Sequence, residues 1–233
     1  MTQSIDIRWT AERYTFAEAA DIVGARTQTI ANWFRGYDRH GRDFLPVIAS
    51  SVGRATDRRR IGFLELVEAK VVAACRSQGI SLRRVRNARI FASARLGVEY
   101  PFASKGFSTD GRSILYEFET TQVEQPEGPF FVDVGNRAGQ TALPGYIGEV
   151  VELLEFAGPS ADWPTRFFPR GSDNLIVIDP RLRSGQPIVV QRGITVDAIW
   201  RRLQGGDVPA YIADDYGIGL EAVLAVRDYK MAA

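Results

Sequence analysis

The sequence predicts an α+β protein in three parts: an N-terminal winged helix-turn-helix, a strand-rich middle region, and a small, mainly helical, helix-turn-helix-like domain at the C-terminus. Three observations predict it. Apolar residues recur at helical spacing from Phe16 to Tyr37 and again from Phe63 to Arg95, with glycines where each helix must stop. Between about Phe102 and Phe156, clusters such as Ile114-Leu115-Tyr116 and Phe130-Phe131-Val132 have the β-branched and aromatic content of strands. A Pro/Arg/aromatic connector then sets off a compact last unit, which places boundaries at 1–97, 98–157, 158–172 and 173–233.

Thr15 followed by Glu18 is a capping box, and Phe16, Ala19, Ala20 and Val23 form the buried stripe of the helix it opens. Gly24 ends that helix, and after Arg26 a second one places Ile30, Trp33, Phe34 and Tyr37 inward. Its outer face then carries Gln28, Asn32 and Arg35, with Thr29 beside them. Amide and guanidinium groups are the side chains that pair bidentately with adenine and guanine edges. The segment from Tyr37 to Arg60 fits a β-hairpin wing tipped near Ser51-Val52-Gly53-Arg54, so that Arg54, Arg58, Arg59 and Arg60 flank the reading helix and reach phosphates. Two further helices follow, Phe63 to about Gln78 and, after the N-cap Ser81, Leu82 to about Arg95. Arg83, Arg84, Arg86 and Arg89 on the latter fit either a solvated basic face or a DNA contact.

From Gly158 to Gly171 three prolines forbid a regular helix or a central strand, and the segment is expected to be an extended linker. Beyond it, strands are expected at Leu175 to Ile178 and Pro187 to Val190, then a helix from Val196 to Leu203 ended by Gly205-Gly206. Asp207 is expected to cap a short helix, Gly217 to Gly219 to turn, and Leu220 to Tyr229 to form the last helix.

Charge divides the chain. Residues 1–110 hold 18 Lys+Arg against 11 Asp+Glu, a net +7, and residues 111–233 hold 11 against 17, a net −6. A basic half attracts polyanions by steering and counterion release, or else docks on its own acidic half. Asp207, Asp214, Asp215, Glu221 and Asp228 make the C-terminal unit poorly suited to phosphate and better suited to dimerisation or partner contact.

No run of about 18 uncharged apolar residues occurs, and the first residues lack a secretion-signal layout, so a cytoplasmic protein with no membrane contact is expected. The single cysteine, Cys75, lies in an apolar helical stretch and is expected to be a buried hydrophobe. With one histidine, His40, one cysteine and no Gly-Lys-Ser/Thr loop, no metal site, cofactor or enzymatic activity is expected. The acid pairs Glu65/Glu68 and Asp214/Asp215 are expected to be solvated helix faces; a metal-dependent enzyme built on the second pair is the rival.

The run from Tyr14 to Ala25, Thr29-Ile30-Ala31-Asn32-Trp33, and Gly79-Ile80-Ser81-Leu82-Arg83-Arg84-Val85 resemble the winged-helix domain of MerR-type regulators, departing from it at Arg26, where a Ser-like cap is usual. Ile178-Asp179-Pro180, Ser184-Gly185-Gln186-Pro187-Ile188-Val189, Ile194-Thr195-Val196, Leu203-Gln204-Gly205-Gly206 and Asp214-Asp215-Tyr216-Gly217-Ile218 resemble a small prokaryotic domain of unknown function found in antitoxins. Together the two look like a long VapB-type antitoxin. That resemblance implies a homodimeric repressor of its own operator DNA that also silences a PIN-domain (VapC-type) ribonuclease toxin. PIN nucleases hold acidic metal ligands, so an arginine of the antitoxin suits their active site. The connector is the candidate plug, with Trp163, Phe167 and Phe168 as anchors and Arg166 and Arg170 as cations; alternatively it packs on its own domain. The rival from the same fold is a ligand-sensing regulator that holds an effector within Ser113 to Phe156.

Overall fold

The computed structural model describes residues 5–48, 58–121, 130, 144–158, 160–170 and 175–231. The fold is α+β, with a helix-turn-helix near the N-terminus. After a single turn, α1 (Ile7–Thr10), and a short strand, β1 (Tyr14–Thr15), come α2 (Phe16–Val23) and α3 (Thr27–Arg35). The Thr15/Glu18 capping box forms as expected: the Glu18 carboxylate accepts the Thr15 N–H at 2.7 Å and the Thr15 hydroxyl oxygen accepts the Glu18 N–H at 3.2 Å. Gly24, at φ 80°, closes α2 in the left-handed region.

A hairpin follows α3 at once. β2 (Tyr37–Arg39) pairs with β3 (Arg42–Phe44) around His40 and Gly41, at φ 55° and 74°, the two left-handed positions a two-residue hairpin turn demands. Gly36 makes this start possible, because a Cβ there would collide with the Phe44 carbonyl. Within the apolar run Phe44-Leu45-Pro46-Val47-Ile48, which the wing reading includes, only Phe44 is strand; Val47 and Ile48 instead turn back and donate their N–H groups to the Trp33 carbonyl. The expected tip, Ser51 to Arg54, lies outside the described residues.

β4 (Arg60–Ile61) pairs antiparallel with β1, Tyr14 opposite Ile61, and delivers the chain to α4 (Phe63–Ser77). This helix is the central column of the protein. Phe63, Leu64, Leu66, Val67, Val71 and Val72 are all fully buried, packed by α2, by α1 and by α5 (Leu82–Leu96). Cys75 is buried among them, and desolvation pushes its thiol up to about 12. Since the thiolate is the reactive species, Cys75 is expected to resist a thiol reagent at pH 8 in the native protein and to react fully in denaturant. A fast native reaction would show that α4 opens.

The middle region departs most from expectation. Residues 105–121 form a long helix, α6 (Lys105–Thr121), not strands, and α7 (Gly145–Glu152) follows. Phe107, Gly111, Ile114, Leu115 and Phe118 are the buried stripe of α6, at a spacing of four, three, one and three, whereas Tyr116 points outward at 62% exposure. Three consecutive apolar residues satisfy a strand and a helix alike. Phe130 is buried against Phe118; Phe131 and Val132 lie outside the described residues. An effector pocket lined by Ile114, Leu115 and Phe118 is therefore replaced by core.

The connector is also corrected. It is a packed strand: β6 (Pro164–Phe167) pairs antiparallel with β5 (Leu154–Phe156), and Phe167 exchanges both backbone hydrogen bonds with Ile178. Pro164 is tolerated because it opens the strand, where a missing donor costs little. Its carbonyl accepts from the Trp9 indole at 2.6 Å, which ties the strand to α1.

In the C-terminal domain β7 (Ile176–Val177), β8 (Ile188–Val189) and β9 (Ile194–Thr195) form an antiparallel sheet, followed by α8 (Val196–Gln204), α9 (Pro209–Tyr216) and α10 (Leu220–Met231). The expected elements are all present. Asp207, however, does not cap α9: Val208 holds that position, and the Asp207 carboxylate accepts from Arg202. Val189, Ile199, Ile212, Val223 and Val226 build this domain's own core. It is fastened to the N-terminal domain by the Tyr14 hydroxyl, which donates to the Gly185 carbonyl at 2.8 Å, and by Arg13, which donates to that of Pro180 at 2.8 Å.

Candidate nucleic-acid interface

Helix α3 owes its orientation to Ile30, Trp33 and Phe34, buried on one side. On the other, Gln28 is exposed and Thr29 and Asn32 are half-buried. The Gln28 amide donates to the Asn32 Oδ1 at 2.8 Å, a pairing that i, i+4 spacing allows. It leaves the Gln28 Oε1 as acceptor and the Asn32 amide hydrogens as donors, a donor–acceptor set that adenine presents in complement. At the start of α3, Arg26 is exposed and its side chain makes no cap. Sequence reasoning saw Arg26 only as a departure; its exposure beside the reading face makes it a candidate phosphate contact.

Two of the expected contact residues hold the fold instead. Arg35 does not stand free on the outer face: its guanidinium donates through both Nε, at 2.6 Å, and Nη2 to the Arg58 carbonyl and lies 4.7 Å from the Phe16 ring centroid. Arg58 is a clearer correction. Its side chain is 6% exposed and forms a fork with Glu65, Nη1 to Oε1 at 2.6 Å and Nη2 to Oε2 at 2.7 Å, with Glu12 accepting from Nε at 3.2 Å. Burial pulls the Arg58 guanidinium down, and the Glu65 and Glu12 carboxylates more than offset it, so the group stays charged. A phosphate cannot reach it. Glu65 is correspondingly not a solvated acid, since it also accepts the Gly62 N–H at 2.9 Å.

Arg59 and Arg60 do lie on the surface, Arg60 with one arm on the Arg13 carbonyl at 2.7 Å. Arg54 lies outside the described residues. Three of the four α5 arginines fit neither expectation for them. Arg84 packs on the Phe118 and Phe130 rings and pairs with Glu119 at 3.2 Å; Arg86 donates to the Pro46 carbonyl at 2.8 Å and to that of Leu45. Arg89 pairs with fully buried Glu68 at 2.7 Å, whose carboxyl burial raises to about 7 against the pull of Arg89. Of the four, Arg83 alone is exposed.

The connector's candidate anchors face inward. Phe167 is fully buried, Phe168 nearly so, against Val177 and Ile188, and half-buried Trp163 meets Tyr100 edge-on at 6.2 Å. Arg166 lies between Glu155 and Asp179, at 3.3 and 3.4 Å, and Arg170 stacks on the Tyr229 ring and donates to its carbonyl at 3.3 Å. Aromatic anchors that already complete a core have no surface to offer a partner.

Residues 13–89 match a family described as "Putative DNA-binding HTH domain", and residues 176–229 match "Protein of unknown function (DUF433)". The chain is 26% identical over 223 residues to "Putative antitoxin VapB45" of Mycobacterium tuberculosis (strain ATCC 25618 / H37Rv), a match that covers 93% of this chain and 92% of that one. It is 29% identical to "Uncharacterized protein Rv2308" of the same strain, over 94% of this chain and 90% of the other. In fold it resembles the crystal structure of Rv2018 from Mycobacterium tuberculosis, with a TM-score of 0.74 at 24% identity over 94% of this chain and 98% of that one. These matches bear out the resemblance read from the sequence, of a helix-turn-helix followed by a domain of unknown function in a chain similar to a VapB-type antitoxin.

Proposed function

We propose that this protein is a non-enzymatic antitoxin of a two-component pair, binding its own operator as a homodimer and neutralising a PIN-domain (VapC-type) ribonuclease. The observation that carries the DNA-binding part is the coupled Gln28–Asn32 amide pair on the open face of α3, in a basic half, with the β2–β3 hairpin directly after it. Amides of this kind specify bases, while Arg26, Arg59 and Arg60 around them position the duplex through phosphates. Two-fold symmetry of the operator follows from a dimer. The antitoxin part rests on similarity along nearly the whole chain to a protein named as an antitoxin. With the connector's aromatics buried, the partner surface moves to the C-terminal domain, where Val208, Tyr211 and Met231 are 64%, 62% and 73% exposed. Among the described residues no helix is long and apolar enough to cross a membrane.

The test is binding to DNA from upstream of its own gene across a salt series. Asn32→Ala is expected to cost about 1–3 kcal/mol on that fragment and almost nothing on random DNA. Arg59→Ala is expected to weaken both alike and to lower the salt slope by about 1. A protein that binds the upstream fragment no better than random DNA at any salt is not an autorepressor; co-expression with a PIN-domain (VapC-type) ribonuclease then decides whether toxin neutralisation stands alone.

A further inference from the structure

A groove of about 440 Å³ opens beside the β7–β9 sheet, backed by the small apolar cluster of Phe168, Val177 and Ile188, which belongs to the core of neither domain. Leu182 and Val190 also line it and remain 45% and 50% exposed, so its apolar surface is only half covered. Three arginines, Arg166, Arg183 and Arg192, complete the lining, and no acid, amide or hydroxyl side chain takes part in it. Arg166 is neutralised by Glu155 and Asp179. Arg183 and Arg192 are exposed, and neither has an ion pair among the described residues. Each guanidinium is instead held by one bond from Nε to a backbone carbonyl, Arg183 to that of Gly193 at 3.2 Å and Arg192 to that of Gly217 at 3.3 Å. Those bonds leave the Nη donors of both arginines unspent. The excess of positive charge is local, in a half of the chain that carries a net −6. Asp214, Asp215, Glu221 and Asp228 are exposed in the same domain, yet none of them pairs with either guanidinium. A cleft lined by one sign of charge against an apolar wall concentrates the field that attracts an anion.

We propose that this groove binds a small amphiphilic anion, its carboxylate or phosphate head on the Arg183 and Arg192 guanidiniums and its apolar body on Leu182, Val190 and the cluster behind them. A guanidinium offers parallel N–H donors to a pair of anionic oxygens, and because Nε already fixes each side chain, little rotamer freedom is lost when the head arrives. The volume falls within the range of small-molecule sites. With no amide, hydroxyl or carboxylate side chain in the lining, no side chain there recognises a sugar ring or a base edge, which favours an alkyl or acyl chain over a nucleotide. An alkyl carboxylate and an alkyl phosphate share this chemistry. The site uses neither the Gln28–Asn32 pair nor the exposed face of α9, so it stands or falls independently of DNA and toxin binding.

Calorimetry of the full chain with octanoate, n-octyl phosphate, octanol and inorganic phosphate tests it. At least one of the two amphiphilic anions is expected to bind saturably, one per chain, and about tenfold or more tighter than octanol, which lacks the head, or inorganic phosphate, which lacks the body. Arg183→Gln combined with Arg192→Gln is expected to weaken binding about tenfold or more while leaving the ligand-free Tm unchanged, since neither side chain has an ion pair to lose. Val190→Asp, which adds a negative charge to the lining, is expected to abolish binding. Arg201→Gln, at an exposed arginine of the same domain outside the groove, is expected to leave the affinity unchanged. The tighter of the two anions identifies the head. No saturable binding by either anion, octanol binding as tightly as both, or equal loss in Arg201→Gln and in the double variant overturns the proposal, whatever the outcome with DNA.

Discussion

Arg58→Ala is expected to lower the unfolding free energy by about 3–5 kcal/mol, the cost of leaving one partner of a buried ion pair alone. The stranded group is Glu65, whose side chain is 3% exposed and whose carboxylate receives two of the guanidinium's arms. Arg58 also lies 5.6 Å from the Phe34 ring centroid, so its loss loosens the inner face of α3 as well. Its neighbour Arg59 is exposed, and Arg59→Ala is expected to stay within about 0.5 kcal/mol of the parent. Urea unfolding of the two variants beside the parent measures both. Pairing Arg58→Met with Glu65→Gln is expected to recover much of the loss, because the amide still accepts the Gly62 N–H and no charge remains to desolvate. An Arg58→Ala protein as stable as Arg59→Ala, but unable to bind DNA, would make Arg58 a phosphate contact after all. The practical consequence is that alanines placed at Arg58, Arg59 and Arg60 together do not isolate a DNA contact, since one of the three removes a structural pair.

What the sequence made legible follows from which forces are local. The Thr15/Glu18 box, the Gly24 stop and the α8–α10 helices depend on residues within a turn or two of one another, and they formed nearly where expected. The inward stripe Ile30, Trp33 and Phe34 followed from periodicity, which also left Gln28 and Asn32 outside. Where a residue's fate depends on a distant partner, the pattern misled. Arg58 meets Glu12 from 46 positions away, Arg89 meets Glu68 from 21, and Arg84 meets Glu119 from 35. A run of arginines looks like a solvated or DNA-facing surface until the acids that bury it are known. The +7 of the first 110 residues already nets Arg58 and Arg89 against their acids, whereas pairs such as Arg84–Glu119 draw on it from outside that stretch.

The middle region failed for a different reason. Ile114-Leu115-Tyr116 is apolar at three successive positions, which a strand accommodates, yet Phe107, Gly111 and Phe118 extend the stripe at helical spacing across a window longer than a strand. Length arbitrates such cases, and α6 runs for 17 residues. The β2–β3 turn was not anticipated because His40-Gly41 is a less familiar left-handed pair than one containing Asn or Asp, although both of its residues take the positive φ that a tight hairpin needs. On the connector, three prolines argued correctly against a helix, and only tertiary pairing with Leu154–Phe156 and Ile178 revealed a strand there.

Phe167→Ala is expected to destabilise the protein by about 3–5 kcal/mol, as truncation of a fully buried aromatic does when the surroundings cannot close the void. Phe167 sits in the larger core alongside Ile178, with its backbone bridging β5 to the first strand region of the C-terminal domain. The void therefore opens where the two domains are stitched together. Phe168, in a small cluster with Val177 and Ile188 and 9% exposed, is expected to cost less on truncation. Both variants are measured by urea unfolding, and both are then assayed for capture of the proposed PIN-domain partner at a temperature where they remain folded. Under that condition capture is expected to match the parent, because neither ring reaches the surface. Were Phe167→Ala to keep parental stability and lose capture, the ring would have to leave the core to meet the partner, and the connector would regain its role as the neutralising segment. Without that result, loss of partner binding in such a variant reports unfolding, and the search for the contact belongs on the exposed faces of α9 and α10.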